Sequence, residues 1–210
     1  MADAPPIKAS IDAVVFDLGG VLIDWDPRYL YRKLFPGDEA AMEHFLTTVV
    51  DFEWNAHQDA GRPFAEAVAE ASARHPQYAG LIEAFDSRWE DMLAGPIHGT
   101  VALVDSLRRR AVPLYALTNW SRDKFPVARA RFDFLSWFDG IVVSGEEGLV
   151  KPDPAIFHRL TTRYGLDPSI TLFIDDMAYN TAAARDLGFH THHFRAPQAL
   201  RTALDEFGLL

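Results

Sequence analysis

The sequence predicts an α/β layered fold: a parallel sheet with helices packed on it, interrupted by an all-helical insertion. Three observations carry this. Short apolar runs rich in β-branched and aromatic residues recur at 13–17, 113–118, 140–144, 170–175 and 190–194, the pattern of strands buried on both faces. Helical periodicity fills the intervals between the later runs, the alternation that builds parallel sheets. From Arg28 to Ala94 the patterns are helical throughout, and no strand candidate appears.

The first run, AVVFD, ends on Asp17, and Gly19 and Gly20 follow almost at once. A tight turn is one reading of the glycines; the other is a backbone that closes around an anion. The insertion comes next. AEAVAEASARH and GLIEAFDSRWEDMLA within it are strong helix formers, and its place straight after the first strand suits a lid or cap. Gly95-Pro96 reads as the hinge back into the core. The expected division is therefore a core of 1–27 and 95–210 and a cap of 28–94. Val101, Val104 and Leu107 share one face of a helix closed by Arg108, Arg109 and Arg110, where cations suit the dipole. PLYALT ends on Thr118-Asn119, and GIVVS leads to a loop with Lys151-Pro152. Asp153 and Pro154 read as an N-cap and first helical residue, opening a helix through Ile156, Phe157 and Leu160. ITLFID ends on Asp175-Asp176. Ala178 to Leu187 is a short alanine-rich helix stopped by Gly188, and HTHHF is the last strand.

With 210 residues and 49% hydrophobic content, the chain can bury a sizeable core. A net charge of -10 and a pI near 5.2 argue against nucleic acid and anionic membranes, which reward a basic face. A phosphate ester stays compatible, because a local site can be positive on an acidic protein. There is no cysteine, so a disulfide scaffold, a thiol nucleophile and a thiolate metal site are excluded. MADAPPIKAS lacks the apolar stretch of a secretory signal, and no run approaches the ~18 apolar residues of a membrane span. A cytoplasmic location is expected. The sequence names no oligomeric state.

Ligands of open parallel sheets sit outside the carboxyl ends of the strands, and here those ends are polar although the strand interiors are apolar. Asp17, Thr118, Lys151, Asp175 and Asp176 would meet in one crevice. Such residues suit phosphoryl transfer. A carboxylate can attack phosphorus. Clustered carboxylates hold a divalent cation such as Mg²⁺. A hydroxyl and an ammonium steady the remaining oxygens, and the amides of Leu18 and Gly19 offer an anion nest. Taken singly each residue has a plainer reading as a turn, a cap or a surface lysine; four such coincidences at four strand ends are improbable.

FDLGGVL, LTN, VKPDPAIF and FIDDMAYN, in that order, resemble the four signature motifs of the haloacid dehalogenase superfamily, across the whole chain. The resemblance implies a Rossmann-like core with an inserted helical cap and an aspartyl-phosphate mechanism. It makes Asp17 the nucleophile and a Mg²⁺ ligand, Gly19 a carbonyl ligand, Asp176 a direct ligand and Asp175 an indirect one. Thr118, Asn119 and Lys151 would hold the transferring group. Phosphatases of that superfamily usually carry a second Asp where this chain has Gly19, serving as general acid and base. Asp24 and Asp26, just downstream, and His57 in the cap are alternative sources of the proton. The same absence marks the metal-independent 2-haloacid dehalogenases, which makes that activity the chief rival. The acidic pair Asp175-Asp176 favours a phosphatase, because adjacent carboxylates beside Asp17 repel one another without a cation. The resemblance is nearer to glucose-1-phosphatase-like members and implies a small phosphorylated metabolite, such as a sugar phosphate. A phospholigand-binding relative without turnover is the third reading.

Other features have plainer readings. His190, His192 and His193 are expected to be solvated or core histidines. Trp54 and His57 would share a helical face of the cap, where most aromatics pack; they and Trp120, beside the second motif, are candidates for substrate contact. Asn180 would either brace the acidic loop or lie exposed.

Overall fold

The computed structural model describes residues 10–210. Residues 1–9, where the missing signal stretch was read, lie outside that range.

Five parallel strands form the central sheet: β1 (Ala13–Phe16), β4 (Leu114–Thr118), β5 (Gly140–Val143), β6 (Thr171–Asp175) and β7 (His190–His193). Their spatial order is β5-β4-β1-β6-β7. Strand β1 is central, pairing Val15 with Tyr115 on one side and Phe173 on the other. Chain order reverses at β1, so its carboxyl end opens onto a crevice.

Period-2 alternation sorts the apolar runs into two cores. Val14, Phe16, Leu114 and Ile174 face one layer, with Val104 and Leu107 of α6 (His98–Arg109) and Leu200 and Leu204 of α11 (Pro197–Glu206). Val15, Leu117 and Phe173 face the other, against Ile156, Phe157 and Leu160 of α9 (Pro154–Tyr164) and Ala184 of α10 (Ala178–Asp186). Each large apolar side chain among them contributes about 1.5–3 kcal/mol by leaving water, and the apolar interiors of β1 and β6 leave only their tips for chemistry. The expected N-cap is present: Asp153 accepts from Ala155 N at 2.8 Å. Helices α7 (Phe125–Arg131) and α8 (Ser144–Glu147) complete the core.

The insertion holds α1 (Arg28–Leu34), α2 (Glu39–Thr48), α3 (Phe52–Asp59), α4 (Phe64–Arg74) and α5 (Ala79–Ser87). Its junction with the core differs from the expected bare hinge. Leu93–Pro96 is a strand, β3, paired antiparallel with β2 (Ile23–Trp25). Both strands are very short, and β3 ends in Gly-Pro, so neither gives a periodic signal; pairing across the insertion makes them. The cap is also latched to the loop after β4. Arg122 Nη2 donates to Gly61 O at 2.8 Å, Phe64 N to Asp123 Oδ2 at 2.8 Å, and Lys124 Nζ to Asp86 O at 2.9 Å. No described helix is long and apolar enough to cross a membrane.

Candidate active site

Asp17 at the end of β1 meets the adjacent pair Asp175-Asp176 at the end of β6. Asp17 is the first residue past β1, and Asp175 is the last of β6; both are buried, and Asp176 is half-buried. One oxygen from each lies within 4.8 Å of the others. Lys151 Nζ, fully enclosed, donates to Asp175 Oδ2 at 2.7 Å and stands 3.0 Å from Asp17 Oδ2. One ammonium does not balance three carboxylates. Burial raises the Asp17 pKa; Lys151 pulls it down, and Asp175 and Asp176 push it further up. Burial and Asp175 raise Asp176 likewise. Burial works against the Lys151 ammonium too, yet Asp17 and Asp175 outweigh it and hold its pKa above the ordinary value. Excess negative charge on an all-oxygen donor set is the environment a hard divalent cation neutralises.

The local chain explains these placements. Gly20 has φ +69, and a Cβ there would stand 2.3 Å from Asp176 Oδ2, so any side chain would displace that carboxylate. Asp175 accepts from Met177 N at 2.8 Å and from Asn180 Nδ2 at 3.0 and 3.1 Å. Asn180 is thus a buried brace of the acidic loop. His193 Nε2 donates to Asp176 O at 2.9 Å, a support that the plain reading of the histidines overlooked.

Two residues expected to grip a phosphoryl group are engaged otherwise. The Asn119 side chain holds the Lys151 backbone, accepting from its N–H at 2.8 Å and donating to its carbonyl at 3.0 Å. Leu18 N–H, expected in an anion nest, donates to Asp17 Oδ1 at 2.7 Å, because the chain curls onto its own carboxylate where the strand ends. The Thr118 hydroxyl, at the carboxyl end of β4 next to β1, is buried without a partner among the described residues, an open hydrogen-bonding group.

Above this floor lies a crevice of about 690 Å³, roofed by the cap. Asp17, Gly19, Asn119 and Lys151 form its base; Leu46, Val50, Phe52 and Phe85 form its apolar wall. A recess of about 70 Å³ shares Gly19, Trp25, Asn55, Asp59 and Asn119 with it and is lined beyond them by Phe64, Trp89 and Trp120. Phe52, Met177 and Tyr179 are exposed by 76%, 37% and 44%, and all three line the crevice.

Four candidates lie off the crevice wall. Side chains alternate along β2, so Trp25 and not Asp24 faces the crevice. Asp24 instead accepts from the Tyr29 hydroxyl at 3.0 Å, and Asp26 accepts from Arg28 N at 2.8 Å. On α3 the helical repeat turns Phe52, Asn55, Ala56 and Asp59 inward. Trp54 and His57 face the other way. Trp54 packs on Phe64 and Phe85, and His57 lines a polar groove with Arg62 and Glu70. Trp120 is buried and reaches the recess, its ring tilted against Trp89 at a centroid distance of 5.5 Å.

Asp59 went unnoticed in the sequence. Its carboxylate accepts from Asn55 Nδ2 at 3.1 Å, and its carbonyl accepts from Ser144 Oγ at 2.6 Å. Burial pushes its pKa up to about 7, against the opposing pull of Lys151 and the Ser121 amide. The four-residue step from Asn55 to Asp59 on the crevice face was the available signal.

A family model described as haloacid dehalogenase-like hydrolase matches residues 11–188. The chain is 28% identical to acyl-CoA dehydrogenase family member 10 of Mus musculus over 96% of this chain, but it spans only 19% of that protein. It is 24% identical to sesquiterpene phosphatase astK of Aspergillus oryzae, over 84% of this chain and 86% of that one. Among solved structures, a HAD family enzyme of Bacteroides thetaiotaomicron in complex with magnesium and inorganic phosphate is similar. The TM-score is 0.67 and the identity 26%, over 89% of this chain and 96% of that one.

Proposed function

Because this chain belongs to the haloacid dehalogenase-like hydrolases, we propose that it is a Mg²⁺-dependent phosphomonoesterase working through an aspartyl phosphate on Asp17. The observation that carries this is the oxygen cluster of Asp17, Asp175 and Asp176 with Lys151 between them. The cluster fits a divalent ion: its oxygens carry surplus charge, and Gly20 lets the Asp176 carboxylate sit where a Cβ would collide with it. The similar Bacteroides enzyme binds magnesium and phosphate, which supports the choice of ion. Asp17, Asp176 and the Gly19 carbonyl would hold it, with Asp175 behind them because Lys151, Met177 and Asn180 already occupy its oxygens. When bound, the ion neutralises charge on the phosphoryl oxygens. Asp17 Oδ attacks phosphorus, Lys151 and the Thr118 hydroxyl steady the transferring group, and the cap restricts water.

Phosphatase relatives weigh for this reading over dehalogenation. With p-nitrophenyl phosphate, phosphate release is expected with Mg²⁺ and lost in EDTA. Halide release from a chlorinated carboxylic acid in EDTA would favour the dehalogenase instead, and phosphate binding without turnover would favour a binding protein.

The crevice also bears on the leaving group. Sugar hydroxyls need hydrogen-bond partners; Thr47, Asp51, Asn55 and Tyr179 could offer some, but the crevice exposes more apolar than polar surface. Of its two cations, Lys151 is held by Asp17 and Asp175, and Arg28 is committed to Glu43 at 2.5 and 2.7 Å. An apolar or amphipathic monophosphate suits it better than the sugar phosphate that the motifs imply. Each buried methylene stabilises by about 0.8 kcal/mol, so kcat/KM for hexyl phosphate is expected to exceed that for a hexose phosphate by roughly tenfold or more. A preference in the opposite direction, measured on the same protein, would return the sugar phosphates.

A further inference from the structure

Resting on that reading, we infer that Asp59 of the cap replaces the proton donor and acceptor missing at Gly19. Two observations place it. A Cβ on Gly19 would meet nothing within 4 Å, so the space an acidic side chain would fill there is open. Asp59 and Gly19 line the same small recess and the same crevice. Roof and floor thus face one volume, with an acidic residue, Asp59, on the roof and no side chain at Gly19 on the floor.

The environment of Asp59 suits the task. Asn55 Nδ2 orients the carboxylate at 3.1 Å, and Ser144 Oγ fixes the end of α3 through the Asp59 carbonyl at 2.6 Å. Lys151 acts on Asp59 across the crevice, Ser121 offers its amide from the loop after β4, and Arg122 on the same loop is committed to Gly61 O. With a pKa raised to about 7, the group both holds and releases a proton near neutrality.

The chemistry balances in two steps. As Asp17 Oδ bonds to phosphorus and the phosphorus–oxygen bond of the ester breaks, Asp59 gives its proton to the departing oxygen, which leaves as an alcohol. A water then attacks phosphorus and passes a proton to the Asp59 carboxylate. The bond to Asp17 breaks, phosphate leaves, and both carboxyl groups regain their starting states.

The test compares phenyl phosphate, whose leaving oxygen needs a proton, with dinitrophenyl phosphate, whose anion leaves unaided. Asp59→Asn is expected to lower kcat on phenyl phosphate by ~10²–10⁴-fold, and to abolish the fall in wild-type rate above about pH 7 that comes with loss of the Asp59 proton. Single-turnover release of dinitrophenolate, with enzyme in excess, should stay within a few-fold of wild type. Gly19→Asp added to Asp59→Asn is expected to restore phenyl phosphate turnover, because the open space at 19 accepts the side chain. Asp59→Asn within threefold of wild type on phenyl phosphate overturns the assignment, as does equal loss on both substrates without rescue. A wild-type protein that releases dinitrophenolate no faster than Asp17→Asn overturns the covalent mechanism itself, and the role of Asp59 with it.

Discussion

Asp17→Asn is expected to abolish turnover, lowering kcat on p-nitrophenyl phosphate by on the order of 10³-fold or more. An amide oxygen is a poor nucleophile and forms no acyl phosphate. The substitution is nearly isosteric, so the contacts of β1, with Val14 and Phe16 on one face and Val15 on the other, are left alone. Circular dichroism and the melting profile should therefore stay those of a folded protein while activity disappears. Rapid acid quench of wild type with labelled substrate should trap a phosphorylated chain that Asp17→Asn does not form. Turnover at the wild-type level in the variant would eliminate covalent catalysis.

Lys151→Met is expected to have the largest effect on stability. The ammonium is fully enclosed and lies 2.7 and 3.0 Å from two buried carboxylates. Removing it leaves Asp17, Asp175 and Asp176 to repel one another in a poorly hydrated site. Breaking a buried pair in this way costs about 3–5 kcal/mol, which for a chain of this size lowers Tm by roughly 6–20 °C. The sign with pH follows from the raised pKa values of Asp17 and Asp176. A carboxyl whose folded pKa lies above its unfolded one contributes stability below the unfolded value, lost as pH rises through the folded value. The metal-free deficit of Lys151→Met should thus be largest near pH 8 and smallest near pH 5, where protonation relieves the repulsion. Magnesium at millimolar concentration should recover part of it at pH 8. A deficit independent of both pH and magnesium would mean that Lys151 acts only by packing.

The core strands and the carboxylate cluster were legible because their signals are local. A strand buried on both faces must be a short apolar run, and a catalytic group in a parallel sheet must sit at its tip. Asp17, Thr118, Lys151 and Asp175 therefore stood out against apolar neighbours. The supports of the cluster were less visible. Asn119 bonding the Lys151 backbone and His193 bonding Asp176 O each join residues far apart in the chain, and no spacing rule predicts such pairs. The strands at the cap junction, Ile23–Trp25 and Leu93–Pro96, exist only because the insertion brings two weak segments together.

By itself, then, the sequence determined the layered α/β core, the position of the helical insertion and the acidic tips of the strands, since hydrophobic periodicity and strand-end polarity are properties of neighbouring residues. Only the tertiary structure decided what faces the crevice. It turned Asp24, Trp54 and His57 away, presented Asp59 to the open space at Gly19, and lined the roof with apolar side chains. Alternation along β2 made that choice for Asp24, and the rotation of α3 about its axis made it for Trp54, His57 and Asp59; packing between Trp54, Phe64 and Phe85 sets the rotation. Those aromatic contacts span three helices, α3 to α5, beyond the reach of any local pattern.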